Sequence, residues 1–363
     1  MRNKRASILY GLVVILFFSL CQISFGQMKT EEFTFEYDGK KYSGLLDLPA
    51  DDRPIAIVVM IHGHGKTNVV EQNWYAKPRS KFVSNGIAVC IWDKAGCGKS
   101  EGEYKHNQSV QSSAKEAFAA IKVLRKLNIV KPDKIGLWGI SRAGWICPLI
   151  IEEDKSIAFW ISVSGTDNLD NIRYLIESNL RIESRKKPEI EALMSEFDFC
   201  YKYQKGGKTY DEFIKATKNL FHDPLCKKLG MGLDNEDDFV RIKKYYQKSG
   251  FVYDVKTGLQ ILVPDFKKTL YNVNCPVLSI SGAKDSQVNW KNTIKLYEET
   301  IGKNNNAELT IKILPNCNHN MQKCETGGLF EDLKKYEWQS CDGYYDTMLT
   351  WLRENGFGKT EQD

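Results

Sequence analysis

In the stretch GLWGISRAG, Gly139-Ile140-Ser141-Arg142-Ala143 puts a serine where a buried apolar run gives way to helical spacing. That context suits a nucleophile: a sharp strand-to-helix turn lifts the serine Oγ above a sheet, provided the residues two before and two after are small. Gly139 meets the demand fully, and Ala143 is one methyl larger, with Gly144 next. The plainer alternative is a turn whose serine only caps the helix. A serine hydroxyl attacks poorly unaided and needs a base held by a carboxylate. The chain has 5 histidines, His62, His64, His106, His222 and His319. With the order serine, acid, histidine, only the last two qualify. His222 lies in a charge-rich helical stretch, whereas His319, in LPNCNHNMQ, follows the last buried run and is the expected base. The acid should follow the preceding strand, where CPVLSISGAKDSQV offers Asp285. Asp254 and Asp265 fit less well, and Asp285 has a helix-capping alternative.

Acyl transfer through a tetrahedral intermediate needs two donors for the oxyanion. One is the backbone N–H of Arg142; the other is expected from HGHG, His62-Gly63-His64-Gly65, with the N–H of His64 favoured over its neighbour Gly65. His62 and His64 precede the serine, which disfavours them as bases or metal ligands. The Arg142 guanidinium has three open destinations: a substrate carboxylate, solvent, or an ion pair with the helical stretch downstream. WDKAGCGKS, residues 92–100, imitates a phosphate-binding loop. The first glycine of that motif would fall at Asp93, and the acidic EGEYKHN follows instead of a helix. The loop is better read as a support of the site, with Asp93 buried and bonded to nearby backbone or to HGHG.

These residues need a frame. EEFTFEY and KYSGLLDLP, joined through Asp38-Gly39, read as a hairpin. IAIVVMIHG, IAVCIWD, KIGLWGIS, IAFWISVSG, CPVLSISG and ELTIKILP read as strands, most of them continuous apolar runs, and helical patterns separate them. That alternation predicts an α/β fold with a mostly parallel central sheet flanked by helices. Within residues 166–268 the texture turns to charge-rich helical patterns studded with aromatics, among them Phe197, Phe199, Tyr201, Tyr203, Tyr210, Phe213, Phe221, Tyr245 and Tyr246. The expected organisation is a core of residues 27–165 and 269–363 interrupted by a helical cap insertion over 166–268.

Residues 1–26 read as an export signal: a basic start, an apolar run from Ile8 to Leu20 too short to span a bilayer, and small residues at Ser24 and Gly26. Lipid attachment at Cys21 and an uncleaved anchor are the alternatives. The expectation is an exported protein, periplasmic or extracellular, with no stable membrane insertion once the signal is removed. Without Arg2, Lys4 and Arg5 the formal charge of +5 falls to about +2, no footprint for nucleic acid. Of the 10 cysteines, Cys90 and Cys147 sit in apolar runs and suit the core. Cys317 and Cys324 are close enough to bridge, although spacing alone does not show that they do. As metal ligands they would have only His319 beside them, so no metal is expected.

Taken in order, HGHG, DKAGCGKS, GISRAG, SGAKDSQV and PNCNHNMQ resemble the α/β-hydrolase superfamily. They look most like exported bacterial esterases of the serine aminopeptidase-like or dienelactone-hydrolase-like kind. The resemblance implies hydrolysis of a small-molecule ester or acyl substrate by a Ser141-His319-Asp285 triad through an acyl-enzyme, with no cofactor. It departs from the pattern at Ala143, where glycine is usual, and at Ala95, where arginine is usual. A peptidase, amidase or acyl-thioesterase on the same triad is the alternative within this chemistry, and a non-catalytic binding module the alternative outside it. The sequence leaves the oligomeric state open.

Overall fold

The computed structural model describes residues 28–50, 52–169, 171–203, 209–229, 235–248, 252–253 and 260–359. The expected signal segment 1–26 with Cys21, the alternative acid Asp254, and the side chains of Tyr201, Tyr203, Tyr245 and Tyr246 lie outside the described residues. The chain opens on a hairpin of β1 (Met28–Tyr37) and β2 (Lys40–Pro49). Asp38 and Gly39 both take positive φ, 51° and 67°, as a two-residue turn matched to strand twist requires. Then come β3 (Ala56–Ile61), α1 (Ala76–Val83), β4 (Ile87–Trp92), α2 (Val110–Lys126), β5 (Ile135–Ile140), α3 (Ala143–Glu153) and β6 (Trp160–Val163). Helices follow: α4 (Ile172–Ile182), α5 (Lys187–Tyr203), α6 (Tyr210–Ala216), α7 (Lys218–His222), α8 (Pro224–Lys228) and α9 (Glu236–Lys248). The two-residue strands β7 (Val252–Tyr253) and β8 (Gln260–Ile261) pair with each other, and α10 (Phe266–Tyr271) leads back to β9 (Val277–Gly282), α11 (Trp290–Glu299), β10 (Leu309–Leu314) and α12 (Tyr344–Glu354).

Eight strands form one sheet in the order β1-β2-β4-β3-β5-β6-β9-β10. The hairpin is antiparallel to its neighbours, and every pairing from β4 to β10 is parallel. The continuous apolar runs have a direct cause, since both sheet faces are covered. Along β3, Ile57, Val59 and Ile61 enter one core, with α2, α3 and the Tyr297 turn of α11. Ala56, Val58 and Met60 enter the other, with α1 and α12. This is the period-two alternation of a strand buried on both sides.

Between β6 and β9 the sheet is interrupted. Helices α4 to α9 close over an apolar cluster of their own, in which Phe197 and Phe213 are buried with Ile176, Leu180 and Phe239, and Tyr210 and Phe221 pack against it. Phe266 and Leu270 of α10, by contrast, join the main core. One cysteine reading is corrected: Cys317 forms its disulfide with Cys341, across 24 residues, and Cys324 is a free, buried thiol. No helix among the described residues is long and apolar enough to cross a membrane.

One ion pair is fully enclosed. Arg79 of α1 donates from Nε to Asp47 of β2 at 2.6 Å, with both side chains essentially out of water. Thr30 Oγ1 donates to the other carboxylate oxygen at 2.7 Å, and Arg79 Nη1 donates to Asn73 Oδ1 at 2.7 Å. Removing one partner strands an uncompensated charge. Arg79→Met is therefore expected to lose about 3–5 kcal/mol in urea unfolding. The double change Arg79→Met with Asp47→Leu should recover much of that loss, and equal destabilisation of both proteins would contradict the assignment.

Candidate active site

Ser141 follows the last residue of β5 and holds φ at 55°, the left-handed region that side chains rarely adopt. Its N–H donates to Val163 O at the end of β6, at 2.9 Å, so the turn stays pinned to the sheet. The small residues around it are explained by contact. A β-carbon on Gly139 would lie 2.7 Å from Cys147 Sγ and 2.8 Å from Ala143 Cβ. One on Gly144 would lie 2.7 Å from Thr166 N. The extra methyl of Ala143 is fully buried against the glycine it faces. Ser141 itself is only half-buried.

Asp285 and His319 meet. Asp285 Oδ2 lies 2.8 Å from His319 Nδ1, and both residues are buried. The other oxygen, Oδ1, accepts the N–H groups of Gln287 at 2.8 Å and Val288 at 2.9 Å, which fixes the carboxylate plane. Nδ1 thus faces the carboxylate, and Nε2 is the ring nitrogen turned away from it. The His319 loop is held from both sides. Its carbonyl accepts Ser164 Oγ at 2.7 Å, and the Cys317–Cys341 disulfide closes the chain two residues upstream. Gly282 is required beneath it, because a side chain there would collide with the carbonyls of Cys317 and Asn318. No hydrogen bond joins Ser141 to His319 among the described residues, although both are tied to consecutive residues at the end of β6, Val163 and Ser164. Such contacts are often long until an acyl group binds.

HGHG follows β3 and reaches the serine: a β-carbon on Gly63 would lie 3.5 Å from Ser141 Cβ. Among the described residues, the N–H groups of Arg142 and His64 donate to no other group. The residues after β4 hold this loop. His62 Nε2 contacts Trp92 O at 2.5 Å, and Thr67 Oγ1 accepts the Lys94 N–H at 2.8 Å. Asp93, wholly out of water, accepts Val69 N–H at 2.5 Å and Lys99 N–H at 3.3 Å. Gly98 is glycine because any side chain would strike the Asp93 carboxylate. Gly65, at φ 92°, carries the chain out of HGHG. No helix begins until α2 at Val110, so WDKAGCGKS has no helix terminus to offer a phosphate.

Among the described residues, Arg142 makes no ion pair with the helical stretch downstream. Its guanidinium bonds the start of α2, through the Gln108 carbonyl and Ser113 Oγ at 3.2 Å. Burial depresses it, and Glu116 works against that. Burial, then His106, Lys94 and Arg142, lower the His64 imidazole to about 4. Burial, Lys94 and Arg142 push His62 well below the usual histidine range. Both rings are neutral at pH 7, and the cations beside the loop are Lys94 and Arg142.

Several residues without a spacing signal also belong to the site. His106 sits with its Nε2 3.2 Å from that of His64. Lys94 donates from Nζ to the carbonyls of Gly63 at 2.7 Å and Gly65 at 2.6 Å. Ser164 holds the His319 carbonyl. From α4, Tyr174 OH donates to Asp285 O at 2.9 Å and Ser178 Oγ to Ser286 O at 2.6 Å. A lysine two residues past a buried strand was the available hint for Lys94; the others lack a local signal. No group of three or more His, Cys, Asp or Glu among the described residues could hold a metal ion.

Comparison with known proteins agrees with the architecture. The chain is 32% identical over 126 residues to the thiohydrolase aneE of Aspergillus aculeatus, a stretch covering 35% of this chain and 38% of that protein. The chain thus spans well under half the length of that relative. An esterase of Pyrococcus furiosus superposes with a TM-score of 0.50 at 15% identity, covering 90% of each chain. A proline iminopeptidase of Mycobacterium smegmatis gives 0.52 at 14%, covering 90% of this chain and 99% of that one. At such identities these two speak for the fold alone. Residues 38–319, from the turn of the first hairpin to the histidine, match the X-Pro dipeptidyl-peptidase (S15) family. The chain belongs to that family, and its fold is that of the α/β hydrolases.

Proposed function

We propose that the protein is a serine hydrolase that cleaves small carboxylic esters and related acyl compounds through Ser141, His319 and Asp285. The observation that carries the reading is the buried Asp285–His319 pair, 2.8 Å apart, anchored to the same end of β6 that holds Ser141 in its strained turn. Ser141 Oγ attacks the acyl carbon and passes its proton to His319 Nε2. Asp285 holds the ring by Nδ1 and stabilises the imidazolium. The N–H groups of Arg142 and His64 receive the oxyanion. The tetrahedral intermediate collapses as His319 protonates the leaving group, and water, activated by the same histidine, releases the acyl group. The similarity to a thiohydrolase supports acyl esters and thioesters as the substrate class. Amide cleavage is favoured by one separate observation, the family match to X-Pro dipeptidyl-peptidases.

A fluorophosphonate probe is expected to label the wild type and not Ser141→Ala. A panel of acyl esters, thioesters and X-Pro amides then assigns the leaving group, esters and thioesters turning over faster. Asp285→Asn should fold yet lose about 10⁴-fold in kcat. The amides of Gln287 and Val288 would claim its oxygen and turn its NH₂ toward His319, forcing the wrong tautomer. Equal labelling of wild type and Ser141→Ala, or near-normal kcat in Asp285→Asn, would sink the triad.

Export is part of the same proposal. It is supported by the basic and apolar start of the chain and by a disulfide, a bond that persists in oxidising compartments. Non-reducing digestion of protein isolated from the expressing cells should yield Cys317 and Cys341 peptides still joined. Cys341→Ser should cost about 3 kcal/mol, from the loop the bond closes. Recovery of Cys317 as a free thiol, or joined to Cys324, would contradict this.

A further inference from the structure

Lys94 is the second residue past β4, and its side chain turns back beneath HGHG. Its Nζ donates to Gly63 O at 2.7 Å and Gly65 O at 2.6 Å, and no other donor among the described residues reaches either carbonyl. The Gly63 carbonyl belongs to the same peptide unit as the His64 N–H. In a planar trans peptide the two point in opposite directions. Fixing the carbonyl on Lys94 therefore fixes the amide on the far face of the loop. A cation on the carbonyl also polarises the unit and strengthens its N–H as a donor. The lysine is itself well anchored, since its N–H bonds Thr67 Oγ1 and its neighbour Asp93 grips Val69. The neutral imidazoles are turned elsewhere, His62 to Trp92 and His64 to His106, so neither supplies this charge.

We propose that Lys94 is a positioning residue of the oxyanion site, aiming and polarising the His64 N–H through the Gly63 carbonyl while its bond to the Gly65 carbonyl steadies the loop. This rests on the reading of His64 as an oxyanion donor. Lys94 faces Arg142, Glu116, Cys97 and the rings of His62 and His64. Burial first, then Arg142, lower its ammonium to about 8, while Glu116 and Cys97 oppose the shift. The charge is present below that pH and lost as pH rises through it. A neutral amine still has hydrogens for both carbonyls, so the loss is of polarisation and the rate steps down to a lower plateau.

The test compares the wild type with Lys94→Met and Lys94→Gln. With an ester substrate, Lys94→Met should lose about 10- to 100-fold in kcat while KM changes less than about threefold. Affinity for an alkylboronic acid, which mimics the tetrahedral state, should fall in parallel with kcat. Lys94→Gln, with a neutral donor, should fall between. The wild-type kcat should step down through about pH 8, and the step should be absent in Lys94→Met. If Lys94→Met fails to fold, by circular dichroism, Lys94→Gln and the wild-type pH step decide. Variants with wild-type kcat, a loss confined to KM, or a step at pH 8 that survives in the variants would overturn the proposal. Fluorophosphonate labelling separates the two levels. A wild type that labels at Ser141 with unaffected lysine variants removes only the role of Lys94; a wild type that does not label removes the oxyanion reading and the proposal with it.

Discussion

The carbonyl end of β6 carries the geometry of the site. Val163 O accepts the N–H of Ser141, Ser164 Oγ donates to His319 O, and Ser164 N–H donates to Ile280 O of β9. Two loops and a neighbouring strand are thus referred to two consecutive residues. The arrangement is strained: Ser141 and Ser164 both hold positive φ, at 55° and 46°, a conformation that costs on the order of 1–3 kcal/mol for a non-glycine residue. The strain persists because packing leaves no alternative. Gly139, Ala143 and Gly144 let α3 start against β5 and the β6 loop, and a larger residue at either glycine would force the helix away. What the strain yields is a serine at a strand-to-helix turn, tied to the same end of β6 from which the His319 backbone hangs.

A second constraint lies three strands over, at the end of β4. Asp93 and Lys94 are consecutive and opposite in charge, yet they are not each other's partners. Asp93 is held by backbone N–H groups and Lys94 by backbone carbonyls. Burying such groups is tolerable only when their hydrogen bonds are met. Each therefore shapes a loop through its main chain, Asp93 the segments at Val69 and Lys99, Lys94 the two carbonyls of HGHG. Burial raises the Asp93 carboxyl while the amides of Val69 and Lys99 counter it. The loop that resembled a phosphate cradle is instead a mould for the loop beside the serine.

Much of this was legible from local pattern, and the limits are physical. Continuous apolar runs mark a sheet buried on both faces, and Asp38-Gly39 marks a turn with both residues at positive φ. The serine, acid and histidine could be ordered because each follows a strand that announces itself. Pairings between distant segments leave no such trace: Lys94 with Gly63, Ser164 with His319, Tyr174 with Asp285. The disulfide shows the same limit. Proximity in sequence favoured Cys324, but Cys317 pairs across an antiparallel bridge with Lys323, and in extended chain the next side chain points to the opposite face. Cys341 arrives from the far side, just before α12. Arg142 could not be placed from sequence because its partners, Gln108 and Ser113, contribute a carbonyl and a hydroxyl rather than a charge.

The helices between β6 and β9 bear on the acid as well as on whatever they cover. Tyr174, Ser178 and Asn179 recur along α4 at the spacing that puts them on one helix face. Tyr174 bonds Asp285 O, Ser178 and Asn179 bond Ser286 O, and Asn179 Oδ1 accepts Leu329 N–H from the segment after the histidine. The loop that aims Asp285 is thus fixed partly by its own amides and partly by α4. Nearby, Ser286 Oγ donates to Gly327 O, which joins the acid loop to the same segment. It follows that the helical segment is mechanically continuous with the acid–base pair. A shift of α4 would therefore be felt at Asp285 and Ser286 through these hydrogen bonds.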